Sequence, residues 1–231
     1  MRKTLSWILS YHRLLADQSF YPILLSTLLA LALFTARVFQ SRSMAYSNLV
    51  WNLFLAWLPF VFGLLAATVF TRNPRNWLIL VFPGLLWLIF FPNAPYIVTD
   101  FLHLEDRPQV PMWYDILMLA TFAWTGCFLA IASLRTMQLI VKSYVGWFAS
   151  WLFAGVALSL CGLGIYLGRF SRWNTWDLFS SPKAILRELA TNVINPFSNL
   201  QFTGFTILFT AFLVVCYLTF MSISKESELL H

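Results

Sequence analysis

"WLILVFPGLLWLIFFPNAPYIVTDFLHLEDRP", residues 77–108, starts as an apolar helix, meets two prolines, and then delivers Thr99, Asp100, His103, Glu105 and Asp106. The apolar part, 77–91, supplies about 15 positions, or about 22 Å of α-helix at 1.5 Å per residue. That is short of the roughly 30 Å hydrocarbon core of a bilayer. Proline has no N–H and disfavours helix in the residue before it, so Pro92 and Pro95 predict a break near Phe91. Two readings follow. Pro92 stops a tilted span at the interface, or "PNAPY" is broken backbone at membrane depth, shielded by protein or by a water-filled cavity. In the second, Asn93 is placed to satisfy the backbone groups that the break frees.

Composition decides between a membrane and a water-soluble chain. Hydrophobic residues make up 60% of the 231 positions and charged residues only 10%, against roughly 25% charged in soluble domains. Mean hydropathy is +0.74. Such a chain cannot clothe a water-soluble surface, and it is expected to be an all-α integral membrane helical bundle. Apolar runs at 21–39, 50–70, 77–91, 116–134, 146–167 and 202–222 predict about six transmembrane helices, all but the third near the length a bilayer requires. They form one domain over 21–222, preceded by an interfacial segment over 1–20 and followed by a short polar tail over 223–231. Pro59 and Pro83 fall inside runs and predict kinks. Cys127, Cys161 and Cys216 all lie in apolar runs and read as packing residues. His12 and Arg13 interrupt the first apolar stretch and no small-residue cleavage site follows, so no cleaved leader is expected.

Beyond the break, "YIVTDFLHL" can resume as a short helix with Thr99, Asp100 and His103 on one face and Ile97, Phe101, Leu102 and Leu104 opposite. A carboxylate and an imidazole one turn apart can hold a divalent metal, with Glu105 or Asp106 as further ligands. The same Asp100 and His103 can serve as a catalytic acid–base pair, or Asp100 can pair with an arginine. A second polar cluster, "GIYLGRFSRWNTWDLFSSP", spans 164–182. Gly164 and Gly168 leave a smooth helix face for close packing, and Arg169 and Arg172 follow. With six crossings this loop and 97–108 emerge on the same side. Asp100, Glu105 and Asp106 are therefore expected to meet Arg169 and Arg172, which would discharge costly charges near the membrane. Asn93, Tyr96, Asp100, Arg169, Arg172, Trp173, Asn174, Trp176 and Asp177 are the candidate binding residues.

In "SSPKAILRELATNVINP", Ser181 is placed to cap, Pro182 suits the first helical turn and Pro196 ends the helix. Ile185, Leu186, Leu189, Val193 and Ile194 share one side, with Lys183, Arg187, Glu188 and Asn192 on the other. Too short to span, this segment is expected to lie in the interface. The terminal side carries Arg2, Lys3, Arg13, Arg72, Arg75, Arg135, Lys142 and Lys225. The other side carries Arg37, Arg42, Arg107, Arg169, Arg172, Lys183 and Arg187. That near-balance leans toward cytoplasmic termini, because the first loops weigh most. The net charge of +6 reads as attraction to lipid headgroups rather than to nucleic acid. His12, His103 and His231 are too dispersed for bis-histidine haem ligation, which leaves a divalent metal as the one cofactor candidate.

"FFPNAPYIVTDFLHL" and "GIYLGRFSRWNTWD" together resemble the two signatures of an uncharacterised bacterial multi-pass membrane-protein family, domain of unknown function 1361. The likeness extends over about residues 25–222. It implies residence in the bacterial inner membrane and marks these two loops as the family's sites, and it transfers no activity. Three classes of function fit the residues. The first is a binding or assembly protein that engages lipid headgroups, a membrane partner or a second copy of itself. The second is a membrane-embedded enzyme acting on a lipid-linked, phosphate-containing substrate, with Asp100, His103 and Asp177 in metal or acid–base roles and the arginines on phosphate. The third is a small transporter built around the broken helix, for which Asn52, Thr121 and Thr125 are the polar candidates. Catalysis requires Asp100 and His103 to face a cavity with the arginines, whereas a structural network requires direct Asp–Arg pairing.

Overall fold

The computed structural model describes residues 19–229, with side chains described through residue 223. The interfacial segment expected over 1–20 therefore lies outside the described residues except at its last two positions. The elements run α1 (Phe20–Ser41), α2 (Ser47–Arg72), α3 (Leu78–Phe90), α4 (Asn93–Tyr96), a 3₁₀ helix (Ile97–His103), α5 (Met112–Arg169), α6 (Asp177–Ser180), α7 (Pro182–Ile194) and α8 (Leu200–Leu229). Among the described residues there is no strand, only an isolated bridge between Arg107 and Val110. The expected tail continues α8 as far as Leu229. Pro59 and Pro83 are accommodated inside α2 and α3.

Five helical segments are long and apolar enough to cross a membrane. The fourth, α5, is not one rod. Its 58 residues would reach about 87 Å as a straight helix, but Gly146, at φ 85° and ψ 179°, interrupts it. That left-handed φ is open to glycine and strained for other residues. The contacts on either side show the chain reversing there. Tyr144 donates to the Pro74 carbonyl just ahead of α3, whereas Arg169 bonds residues 99–103 at the far end of the same pass. Between those ends, Gly84 faces Met137 of the first arm and Trp87 meets Phe153 of the second. The described residues thus make six helical passes, matching the six apolar runs.

Its polarity is that of a protein dissolved in lipid. Leu25, Phe82 and Leu208 are about 70% exposed, while Arg37 and Asp115 are 1% exposed. That pair joins α1 to the first arm of α5 in a bidentate contact, Nε to Oδ1 at 2.7 Å and Nη2 to Oδ2 at 3.1 Å. The Arg37 guanidinium also lies 4.7 Å from the ring centre of Tyr46. Hydroxyls in the passes mostly bond their own helix: Thr121 donates to the Leu117 carbonyl and Thr125 to that of Thr121. Thr125 also shares a 2.6 Å hydrogen bond with Ser26, and Tyr217 donates to Gln138 Oε1 to tie α8 to α5. Cys161 is buried, Cys127 and Cys216 are half-buried, and all three are free.

The third pass breaks after Phe90, as the prolines require. The interruption is covered by protein: Ala94 and Ile97 are fully buried. Two glycines make that cover possible. A Cβ on Gly164 would stand 2.7 Å from Pro92 Cγ, and one on Gly126 only 2.3 Å from the Ala94 carbonyl oxygen. Asn93 donates to the Phe90 carbonyl at 3.1 Å, the repair the sequence suggested.

Two tests follow from this packing. Because the obstacle at Gly126 is backbone, Gly126→Ala should destabilise by about 1–3 kcal/mol, the usual cost of overpacking. Gly155→Ala, with nothing within 4 Å, should be neutral in the same thermal melt, and equal melting temperatures would contradict the packing. With the native cysteines replaced by alanine, Asp106→Cys and Lys142→Cys should react with a membrane-impermeant maleimide from opposite faces of oriented vesicles. Asp177→Cys should label from the Asp106 face, and its labelling from the Lys142 face would contradict the reversal at Gly146.

Candidate functional site

Arg169 ends the second arm of α5 and reaches across to the 3₁₀ helix. Its Nε donates to Thr99 Oγ1 at 2.8 Å, its Nη1 to His103 Nε2 at 2.7 Å, and its Nη2 to Asp100 Oδ1 at 2.5 Å. A guanidinium N–H can only donate, so His103 Nε2 is the acceptor in that contact. The guanidinium also sits 4.7 Å from the Tyr96 ring centre. Asp100 completes its bonding by accepting from Asn52 Nδ2 at 2.8 Å, and Thr99 donates onward to the Tyr96 carbonyl. A 3₁₀ helix brings residues three apart into line, which stacks Asp100 over His103 toward Arg169. Thr99 and Asp100 are buried, while Phe101 and Leu102 on the other side are exposed. Of the polar face, Thr99 and Asp100 turn inward while His103 is exposed; of the apolar face, Phe101 and Leu102 turn outward, Leu104 is half-buried and Ile97 is fully buried.

The wider charge network expected from the sequence does not form. Arg172 is exposed in a left-handed conformation, φ 60°, and bonds none of Asp100, Glu105 and Asp106. Glu105 pairs with its neighbour Arg107 at 2.8 Å. Asp177 serves its own turn, accepting from the Asn174 backbone N–H at 2.7 Å and from Ser180. Among the described residues no three His, Cys, Asp or Glu side chains converge to hold a metal ion. The metal set Asp100, His103, Glu105 and Asp106 is therefore not assembled, and a guanidinium stands between its first two members.

Beside the ion pair a cleft of about 250 Å³ opens between α2, the α3–α4 break and the 173–178 loop. Its apolar wall includes Leu55, Ile89, Phe90 and Ile185, and Gly164 and Gly168 form part of its floor. The polar groups are Asn52, Asn93, Tyr96, Asn174 and Thr175, and Trp51, Trp173 and Trp176 complete the lining, the first and last of them exposed. Five of the nine expected binding residues therefore line one cavity: Asn93, Tyr96, Trp173, Asn174 and Trp176. Asp100, Arg169, Arg172 and Asp177 do not line it, and neither does His103. The loop is pinned at both ends: Asn93 donates to Thr175 Oγ1 at 3.3 Å, while Ser171 and Trp173 both donate to Glu188 of α7. Glu188 and Asn192 thus face the protein, and Asn192 accepts from Asn199. It is Leu186, Val193 and Ile194 that face outward. The helix starts at Pro182 as expected, but the Ser181 side chain makes no cap.

Asn52 escaped the sequence reading as part of this site because a lone amide in an apolar run names no partner. Arg37 and Asp115 were also missed, although each is a charge at the edge of an apolar run, one positive and one negative, at the same end of the bundle.

The model of a family described as a protein of unknown function, DUF1361, matches residues 51–216. The chain belongs to that family. The match takes in both polar loops and is narrower than the 25–222 suggested by the sequence motifs. No curated protein and no solved structure matches the chain.

The Arg169 and Asp100 side chains are 10% and 6% exposed, and removing one partner of a buried pair leaves the other charge uncompensated, at a cost of about 3–5 kcal/mol. Arg169→Met and Asp100→Leu should each lower the melting temperature sharply, and the double variant should recover most of the loss. Strictly additive losses in that double-mutant cycle would rule out the direct pairing.

Proposed function

We propose that this member of the DUF1361 family is a lipid-binding protein of the bacterial inner membrane that holds one amphiphile in the cleft beside the broken third pass. The observation that carries the reading is the cleft's make-up: mostly apolar lining, a small set of uncharged polar side chains, and three tryptophans, two of them exposed. Ligand pockets are typically built in this way, and tryptophan favours the membrane–water boundary. The exposed apolar side chains of α7 support a helix lying in that boundary, with the cleft at the same level. Near-balance of Lys and Arg, weighted to the first loops, favours cytoplasmic termini, which puts the cleft on the outer leaflet.

Catalysis is the weaker reading because its candidate groups are otherwise engaged. Asp100 and His103 are bonded to Arg169, and none of the three lines the cleft. A binding role requires only that the cavity be shaped and held. The Arg169 cluster and the Glu188 contacts do that from either side, leaving Asn52 and Tyr96 as the groups shared by the clamp and the cleft.

The test is to fill the cavity. Leu55→Trp adds bulk from one wall and touches none of the bonds described above. Native mass spectrometry of the wild type released from lipid nanodiscs should show one retained lipid per chain. Leu55→Trp should retain at least tenfold less at an unchanged melting temperature. Equal retention in the two proteins would overturn the cleft as the lipid site. A stoichiometric protein in place of lipid would point instead to an assembly role.

A further inference from the structure

We infer that the headgroup this cleft selects is uncharged and polyhydroxylated, a glycosyl group rather than a phosphate. The inference rests on the reading of the cleft as a lipid site and adds the chemistry of its polar end.

Charge comes first. None of the cleft's lining residues is charged, although charges crowd the neighbourhood. All but Arg172 are engaged elsewhere. Arg169 uses all three guanidinium nitrogens on Thr99, His103 and Asp100. Both Glu188 oxygens accept from Ser171 and Trp173, and both Asp177 oxygens accept within its own turn. Arg172 has no partner among the described residues, but it is exposed and outside the lining. A phosphate drawn into the cleft would leave water and meet no charged side chain in the lining, which is strongly unfavourable. An uncharged headgroup carries no such penalty.

The polar lining then says what kind of uncharged group fits. Asn52 must direct its N–H₂ at the Asp100 carboxylate, and Asn93 must direct its own at the Phe90 carbonyl. These partners accept only, so they fix both amide orientations. The two amide oxygens are left accepting no hydrogen bond among the described residues. Asn174 adds an exposed side-chain amide, and Tyr96 and Thr175 add hydroxyls. What the cleft lacks is donors from the ligand. A sugar hydroxyl donates as well as accepts, whereas an ionised phosphate only accepts.

The tryptophans supply the third argument. Trp51, Trp173 and Trp176 line the same cavity as the amides. An aromatic face carries partial negative charge, which suits the polarised C–H bonds on the flat side of a pyranose ring. Glu188 takes the Trp173 N–H at 2.7 Å, so its ring rather than its polar edge is what remains for a ligand. Trp176 is 61% exposed and is held edge-on to Phe90 at 6.0 Å between ring centres, which steadies it at the rim. The cavity's 250 Å³ is below the roughly 300–1,000 Å³ of sites that enclose a whole drug-sized ligand. It suits one sugar ring, with acyl chains running out along the apolar wall.

The experiment uses protein purified in an amine-oxide detergent, which has no sugar to compete. The protein is placed in phosphatidylcholine nanodiscs holding equal amounts of monoglucosyl diacylglycerol, phosphatidylglycerol and diacylglycerol of the same chains. Native mass spectrometry then reads the lipids retained. The glucosyl lipid should exceed each of the others by about tenfold or more, as expected of a site built to bond hydroxyls. Trp176→Leu and Asn174→Ala, both at exposed positions, should each erase that preference. Trp147→Leu, at an exposed tryptophan by the Gly146 reversal, should leave it intact. If the lipids are retained without preference, or phosphatidylglycerol dominates, and Leu55→Trp still abolishes retention, the glycosyl inference fails and the lipid cleft stands. If Leu55→Trp changes nothing, or no lipid is retained above bulk composition, the cleft reading fails with it.

Discussion

The guanidinium of Arg169 fixes the end of the bundle on which the cleft depends. The 97–103 segment would otherwise be a short 3₁₀ helix joined to its own pass only through a proline break. One planar side chain with donors in a fixed fork bonds Thr99, Asp100 and His103 together, sealing the segment to the end of the fifth pass. Lysine has the charge without the fork and could not satisfy all three acceptors in that geometry. Asn52 extends the cluster to α2, so three separate passes meet at a single carboxylate.

The break in the third pass and the glycines opposite it belong to the same design. Helices in lipid gain little from apolar contact with each other, since lipid tails offer the same contact, and close approach through small residues matters more. Gly126 and Gly164 bring both arms of α5 against Ala94 and Pro92, and a third glycine, Gly168, brings the second arm against Tyr96, where a Cβ would sit 3.2 Å from the ring. The irregular backbone of the break is thereby enclosed in protein, the condition under which such backbone is tolerated at membrane depth. The cleft lies where this enclosure stops, between the Phe90 turn and the tryptophan loop.

The sequence made the passes legible because lipid imposes a length and a composition on each, and the reversal in α5 could be located from the gap between two apolar runs. The third pass was legible as a break because proline chemistry is local. The partners were less so. Asp100 with Arg169 could be expected from loop parity, but parity places loops and does not choose between Arg169 and Arg172. That choice is made by helix phase at the end of α5, where Arg169 is still helical and Arg172 lies beyond the turn with φ 60°. Glu188 illustrates the same limit. As a charged residue on an amphipathic helix it reads as outward-facing, yet it turns inward because Ser171 and Trp173 both offer it donors, a tertiary fact with no local signal. Asp177 was overread for the converse reason: a carboxylate near an arginine cluster invites a role in chemistry, while its position three residues after Asn174 already suits it to close a turn.

Two buried ion pairs, Arg37 with Asp115 and Arg169 with Asp100, lie at the same end of the bundle, and neither is strong evidence for stability, since desolvation can cancel what pairing returns. Their consequence is specificity. An apolar helix can slide or rotate against an apolar neighbour at small cost, but a charge that leaves its partner in lipid faces a large penalty. The first pair fixes α1 against the first arm of α5, and the second fixes the end of the third pass against the second arm. Because both arms belong to one hairpin, the two pairs together set the register of four passes, and they do so at the level where the cleft opens. The charges that hold the cavity in shape are also charges withdrawn from its lining. Its interior is left with amides, hydroxyls and indole rings, and any ligand it holds must be recognised by those groups.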